Sequence, residues 1–524
     1  MTRHHFAPRL LLLSAIGWVV GTAAHAGPVN VVEMPLAQVA AGLDAGTLSS
    51  VDVTTAYIAR IRAKDGPLKA VILIAPDALQ QAAASDDRRK QGRRLSALDG
   101  VPILLKDNIE VRGMPTTAGS FALAQNIPVE DSEIARRLRA AGVVLLGKTN
   151  LDQWAGMRTN DAFNGSTVGG GPHNPYDLSR TACGSSSGPG IAAAMSFAAA
   201  AIGSETNGSV ICPAAFMGLV GMKPSIALIS RRGVVPISLN QDTVGPLARS
   251  VTDAAMLLTV MAGSDAGDPA SKDADAHAVN FAKALDADSL KGAKLGVLRD
   301  MSGYDKDTAV VFNRALDVLK AQGAQLVEIP INLFEDLSQE QRIVLLYDFK
   351  EDINTYLAHT PPGVKTRTLA DLIAFNQTDP REKLHTQDIF EAANATVGGR
   401  QNPEYIRTLA YLQKRVRAEG IDRAVREFGV KALVVLSYAA AGPIPVDGTP
   451  QPTYQLAVFP KGTLPPDAAL YASVAGYPNL TVPMGLSKGL PLGLSFIGPR
   501  WSDQMLLSLG YSYEQASHAR VPPK

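Results

Sequence analysis

The 524-residue chain has only two cysteines, Cys183 and Cys212, too few for a disulfide framework to carry its stability. An excess of one charge sign is also missing. With 50 basic residues against 49 acidic ones, the formal charge of +1 excludes the electrostatic footprint of a nucleic-acid partner. There is no H-E-x-x-H, no C-x-x-C and no His/Asp/Glu set at ligand spacing, so no metal is expected. Gly169-Gly170-Gly171 lacks the Lys-Ser/Thr of a phosphate-binding loop, and no other cofactor signature replaces it. Internal repeats are absent. Beyond the N-terminal segment no run approaches the roughly 18 apolar residues of a membrane span, so a soluble mature protein is expected. The oligomeric state is left open.

What is present begins with a hydrophobic content of 46% and a charged content of 19%, ordinary for a globular protein. The 46 glycines and 34 prolines imply many turns and a loop-rich face. Arg3, His4, His5 and Arg9 precede an apolar run from Leu10 to Val20, and Ala24-His25-Ala26 fits an A-x-A cleavage site. Residues 1–26 are therefore expected to be a signal peptide, with a retained anchor as the alternative. The mature protein would be periplasmic or secreted. Cleavage removes two arginines and no acid, taking the formal charge from +1 to −1.

Periodicity places helices over Ala37–Gly42, Ser50–Lys64 and Glu130–Ala141. Short apolar strands are expected at Gly100–Asn108, Val143–Leu146, Lys294–Leu298, Gln325–Ile329, Ala432–Leu436, Leu480–Val482 and Leu494–Ile497. Their alternation with helices predicts an α/β sandwich around a large mixed sheet. Residues 27–524 are read as one domain. Within it, the polar, mostly helical stretch at about 333–425 is a candidate cap or substrate-facing insertion. Ala266–Ala276 has the composition of a surface linker.

Two glycine-flanked serine loops stand out, Cys183-Gly184-Ser185-Ser186-Ser187-Gly188 and Gly203-Ser204-Glu205-Thr206-Asn207-Gly208-Ser209, joined by an alanine-rich stretch read as a helix. Glycine turns backbone N–H groups towards a ligand, and a helix N-terminus adds unpaired donors. These residues alone leave two readings open, a serine nucleophile beside an oxyanion hole or tight turns around a buried helix. The first loop formally matches the G-x-S-x-G elbow, but its lead-in from His173 to Arg180 is polar and holds Pro175, where that motif needs an apolar strand. Neither His173 nor the later His277, His359, His385 and His518 carries a catalytic signature; most are expected at the surface. The two cysteines flank the loops, and free, packed thiols are the favoured state. Lys106 ends the strand beginning at Gly100. Such a lysine usually reaches solvent, but if buried it would be a neutral base able to activate a serine.

The ordered set of motifs resembles the amidase signature family over nearly the whole mature chain. It comprises Gly100-Val101-Pro102 with Lys106-Asp107, Gly147-Lys148-Thr149-Asn150, the two serine loops and Gly218-Leu219-Val220-Gly221-Met222-Lys223-Pro224. Asp242-Thr243-Val244-Gly245-Pro246 and Ala475-Gly476-Tyr477-Pro478-Asn479-Leu480-Thr481-Val482-Pro483 follow. The resemblance implies a mixed sheet covered by helices on both faces and a Ser–Ser–Lys triad. In it, Ser209 is the nucleophile, Ser185 the relay at a cis peptide bond, and Lys106 the base. The backbone of Thr206, Asn207, Gly208 and Ser209 would form the oxyanion hole. Departures from the family are Asn207-Gly208 where Gly-Gly is frequent, Ile211 where arginine is frequent, and Ser187 where glycine is common. All three resemble the peptide-amidase branch, implying a small amide or peptide-amide substrate and telling against a tRNA-linked role. An esterase using the same residues, or a silent binding protein on this fold, is the alternative. Trp154, Met157 and Phe163 are read as core rather than pocket lining.

Overall fold

The computed structural model describes residues 1–2, 29–158, 165–299, 305–330, 333–444 and 468–524. The expected signal peptide, apart from its first two residues, and Phe163 therefore lie outside the described residues. Among the described residues eleven strands form one mixed sheet: β1 Val71–Ile74, β2 Pro102–Lys106, β3 Val144–Thr149, β4 Ala200–Glu205, β5 Val220–Lys223 and β6 Thr243–Ala248, then β7 Lys294–Val297, β8 Gln325–Glu328, β9 Ala432–Leu436, β10 Asn479–Ser487 and β11 Leu490–Ile497. Their spatial order is β1-β3-β2-β4-β6-β5-β10-β11-β9-β7-β8. The β3-β2-β4 and β9-β7-β8 groups are parallel, and antiparallel pairs join them. Helix Glu133–Ala140 makes the crossover from β2 to β3, started by Ser132, whose side chain accepts from the Ala135 N–H.

Helices cover both faces. A side chain at Gly493 would meet Ala215 of helix Ile211–Phe216 and the Thr481 hydroxyl, whereas one at Gly510, in helix Asp503–Ser517, would meet Leu480 and Val482. Neighbouring residues of β10 thus contact different helices, and successive strand residues point to opposite faces.

Helix Ser50–Lys64 forms as its periodicity predicts. The alanine-rich stretch does not stay helical. Helix Ser187–Ala194 ends in a five-residue turn, and Ala200 and Ala201 begin β4, which is buried along its length between β2 and β6. Alanine's helix preference is weak, and a central position between two paired neighbours overrides it. Pro269–Ala276, read as a linker, forms a 3₁₀ segment with Ser271 and Ala274 buried.

The stretch after residue 333 supplies helices Ser338–Ala358, Leu369–Thr378, Asp388–Asn394 and Pro403–Val416. Phe349, Ile353, Leu357, Leu372 and Phe390 form a separate apolar cluster with Leu123, Trp154, Met157, Val235 and Ile237, from the 3₁₀ turns and loops that follow β2 and β3 and precede β6. Among the described residues, no helix is long and apolar enough to cross a membrane.

Candidate active site

Pairing of β2 with β4 places Leu105 beside Ile202, so Lys106 stands level with Gly203 and its side chain extends to Ser204, the penultimate residue of β4. Lys106 does not snorkel; it is fully buried. Its Nζ lies 2.8 Å from Ser185 Oγ, 3.0 Å from Ser204 Oγ and 3.2 Å from the Ser204 carbonyl oxygen. Asn108 Nδ2 donates to Ser204 Oγ at 2.9 Å, fixing that hydroxyl from the other side. Burial lowers the lysine to about 7, with the charges of Asp152, Glu205 and Asp242 opposing the drop. Near neutral pH the amine therefore exists in both protonation states.

Ser185 is held just as closely. The Gly184–Ser185 peptide bond is cis. The Ser185 carbonyl accepts from the Asp152 N–H at 3.1 Å, and a side chain at Gly184 would run into the Asp152 carboxylate. Burial raises Asp152 to about 6, Lys106 being the largest opposing charge. Ser186 ties the two loops together: its N–H donates to the Ser209 carbonyl at 3.2 Å, and its Oγ donates to the Ser204 carbonyl at 3.0 Å. Cys183 and Cys212 form a disulfide, which corrects the expectation of free thiols. The antiparallel and parallel pairings fold the loops against one another and bring cysteines 29 residues apart in sequence to a Cα separation of 6.0 Å, within bonding range.

The second loop is anchored from outside at almost every residue. Glu205 Oε2 accepts from the N–H groups of Val210 and Ile211 at 2.7 and 3.0 Å. Thr206 Oγ1 donates to Asp242 Oδ1 at 2.6 Å, and Asn207 Nδ2 donates to Gln341 Oε1 at 3.1 Å. Gly208 has φ +74°, and an added Cβ would strike the Tyr438 hydroxyl, so any other residue there is strained and must displace that side chain. Among the described residues, none of the backbone N–H groups of Thr206, Asn207, Gly208 and Ser209 donates a hydrogen bond, which leaves four donors on one turn for a ligand. Ser209 is 8% exposed, and its hydroxyl makes no hydrogen bond within the described residues. The Lys106–Ser185 contact and the anchored donor loop are thus formed, while among the described residues no hydrogen bond joins the Ser209 and Ser185 hydroxyls and the two loops meet through the Ser186 N–H.

Sequence reasoning missed four neighbours of this site: Ser204, Asn108, Asp152 and Asp242. Ser204 was legible from its place next to Glu205 once β4 was known to pair with β2. Asp242 opens one of the family motifs, and it accepts from the Ile237 and Ser238 N–H groups at 2.8 and 3.0 Å as well as from Thr206. Burial raises Asp242 to about 7. Other motif residues are architectural: buried Lys148 pairs with Asp107 at 3.0 Å, and Asn150 Nδ2 donates to the carbonyls of Lys69 and Gly170. His385 is buried rather than at the surface, close enough to Asp152 for its charge to oppose the rise. Trp154 and Met157 are core, with Trp154 packed edge-on against Phe390 at 5.9 Å.

The amidase family model matches residues 52–507. The chain is 33% identical to a probable amidase of Arabidopsis thaliana, over 98% of this chain and 96% of that protein. It is also 33% identical to a glutamyl-tRNA(Gln) amidotransferase subunit of Chloroflexus aggregans, over 92% of this chain and 96% of that one. The native peptide amidase of Stenotrophomonas maltophilia superposes with a TM-score of 0.86 at 40% identity, covering 94% of this chain and 98% of that chain. The chain belongs to the amidase signature family and is a hydrolase acting on amides.

Proposed function

We propose that the protein is an exported amidase that cleaves peptide C-terminal amides, or other hydrophobic or aryl amides, through an acyl-enzyme on Ser209. The carrying observation is the 2.8 Å contact between buried Lys106 Nζ and Ser185 Oγ, beside a loop with four uncommitted N–H donors. Neutral Lys106 takes the proton of Ser185 as Ser185 takes that of Ser209, and Ser209 Oγ bonds to the amide carbon. The developing oxyanion is met by the N–H groups of the Thr206–Ser209 turn. The proton returns through Ser185 to the leaving nitrogen as the C–N bond breaks. Water then attacks the ester, giving its proton through Ser185 to Lys106, and that proton returns to Ser209 Oγ as the ester bond breaks and the acid leaves. The likeness to the peptide amidase of Stenotrophomonas maltophilia, and to a peptide amidase solved with the competitive inhibitor chymostatin, supports a peptide-like substrate.

The Cys183–Cys212 disulfide supports export, because such bonds persist in oxidising compartments. Ile211 in place of the arginine frequent in the family supports a role apart from tRNA-linked amide chemistry. Mass spectrometry after incubation with peptide amides, aryl amides and matched esters tests the substrate class. Amide hydrolysis that disappears in Ser209→Ala is expected; equal turnover by Ser209→Ala and the parent would end the catalytic reading. Faster turnover of every matched ester would favour an esterase.

A further inference from the structure

Asn207, the departure from the frequent Gly-Gly, gives the nucleophile loop a side chain that a glycine lacks. Its Nδ2 donates to Gln341 Oε1 at 3.1 Å, and its Oδ1 has no partner among the described residues, so this is the side chain's single hydrogen bond. Gln341 lies in the first turn of helix Ser338–Ala358, is 4% exposed, and uses its own Nε2 to donate to Gln241 Oε1 at 2.8 Å. Gln241 directly precedes Asp242, whose carboxylate holds Thr206. Two adjacent residues of the donor loop are therefore held from one external turn, residues 237–242, one directly and one through Gln341.

The same helix fixes that turn. Ser238 Oγ donates to Asp348 Oδ2 at 2.6 Å, and the Leu239 N–H donates to Asp352 Oδ2 at 2.9 Å. Both carboxylates are clamped by Arg400, at 2.9 and 2.6 Å. The helix thus holds the turn through two ion-paired carboxylates at its middle and reaches the loop that carries Ser209 through Gln341 nearer its start.

We propose that Gln341 is a positioning residue for the reaction, which orients the Asn207 peptide group, and with it the oxyanion donors, from the helical insertion. The proposal rests on the acyl-enzyme reading above. Oxyanion donors must be aimed at charge that appears only in the transition state. Loss of a tether that aims them lowers kcat and leaves substrate binding largely alone.

The test is a double-mutant cycle of Gln341→Met and Asn207→Gly, read by kcat and KM on a peptide amide. Each single variant is expected to lose roughly 10- to 100-fold in kcat, less than the loss of a whole donor, with KM within about threefold. The double variant is expected to match the worse single one, because both remove one contact. A peptide aldehyde, which adds Ser209 Oγ across its carbonyl and places its oxygen at the same donors, is expected to bind more weakly by the factor lost in kcat/KM. The product acid is expected to bind unchanged.

Parental kcat in either variant, or multiplied losses in the double variant, overturns the proposal. If Gln341→Met fails to fold, Asn207→Gly still breaks the contact from the other end. Abolition by Ser209→Ala decides the catalytic reading separately, whatever the Gln341 and Asn207 variants do.

Discussion

Removing the buried amine while keeping its volume, Lys106→Met, is expected to abolish turnover without unfolding the protein. Burial moves Lys106 from its ordinary 10.5 to about 7. At pH 7 about half of the molecules then carry a neutral amine, against roughly one in 3,000 for a lysine at its ordinary value. The acidic limb follows from this: kcat/KM rises with pH as the base loses its proton and levels off above about 7. Between pH 5 and pH 8 the neutral fraction grows by about 100-fold, and the rate on an uncharged peptide amide should follow it. Loss of a general base costs about 10²- to 10⁴-fold in kcat, so Lys106→Met should fall by that factor at the plateau.

Stability changes in the same direction but in a higher pH window. The unfolded lysine keeps its proton up to 10.5 and the folded one only to about 7, so the unfolded state holds more protons between those values. Stability therefore rises with pH through that window, and below about 7 the folded state bears the whole cost, about 5 kcal/mol. Methionine bears none of it, so Lys106→Met should melt no lower than the parent at pH 6. The assays are a kcat/KM profile and thermal melts at pH 6 and pH 9. A rate flat between pH 5 and 8, or more than about a tenth of parental kcat in Lys106→Met, would refute the reasoning.

Asp152→Asn keeps the shape beside Gly184 but removes the strongest charge that opposes the lowering of Lys106, so the acidic limb should move to lower pH; a limb that stays or moves up contradicts this. Gly208→Ala forces a Cβ towards the Tyr438 hydroxyl at φ +74°, and kcat should drop by at least about 100-fold, as when an oxyanion donor is lost, whereas near-parental turnover would count against the assigned donor loop. Cys183→Ala with Cys212→Ala opens a loop of 29 residues, and chain entropy puts the loss at about 3–4 kcal/mol; an unchanged urea midpoint would show that the tie between the loops is redundant. Glu382→Gln removes the buried carboxylate that meets Arg158, Gln153 and Ser120, and the denaturant midpoint should fall; no change in midpoint would mean that this charge is dispensable.

What was legible in the sequence was local. The apolar run ending at Lys106, the helix at Ser50–Lys64 and the two glycine-serine loops each announce themselves through residues close together in the chain. The fold class followed from strands and helices alternating. What was hidden depends on contacts across the sheet. The alanines of β4 look helical until β2 and β6 pair with them, and two cysteines cannot declare a bond whose geometry is set by that pairing. Glu382 is the extreme case. A polar residue in an unremarkable stretch turns out to be fully buried, accepting from Ser120 Oγ, the Phe121 N–H and Gln153 Nε2 at 2.9, 2.7 and 2.7 Å, across more than 200 residues of chain.

The sheet also explains why the sequence alone favoured the wrong setting for Lys106. A lysine closing an apolar strand normally finds water because the strand ends at the surface. Here β2 and β4 are parallel neighbours, so their carboxyl ends lie together, and in parallel sheets the crevice beyond those ends is where sites form. Lys106 is the last residue of β2 and Glu205 the last of β4, and the donor turn leaves directly from the second. The Ser185 loop, tied to that turn by Ser186 and the disulfide, then closes over the amine. Solvent is excluded by the chain segments that carry the two serines. The desolvation that makes Lys106 a base and the proximity that gives it a serine therefore have one structural cause, and a change that opens the loops should raise the lysine's pKa and slow the reaction together.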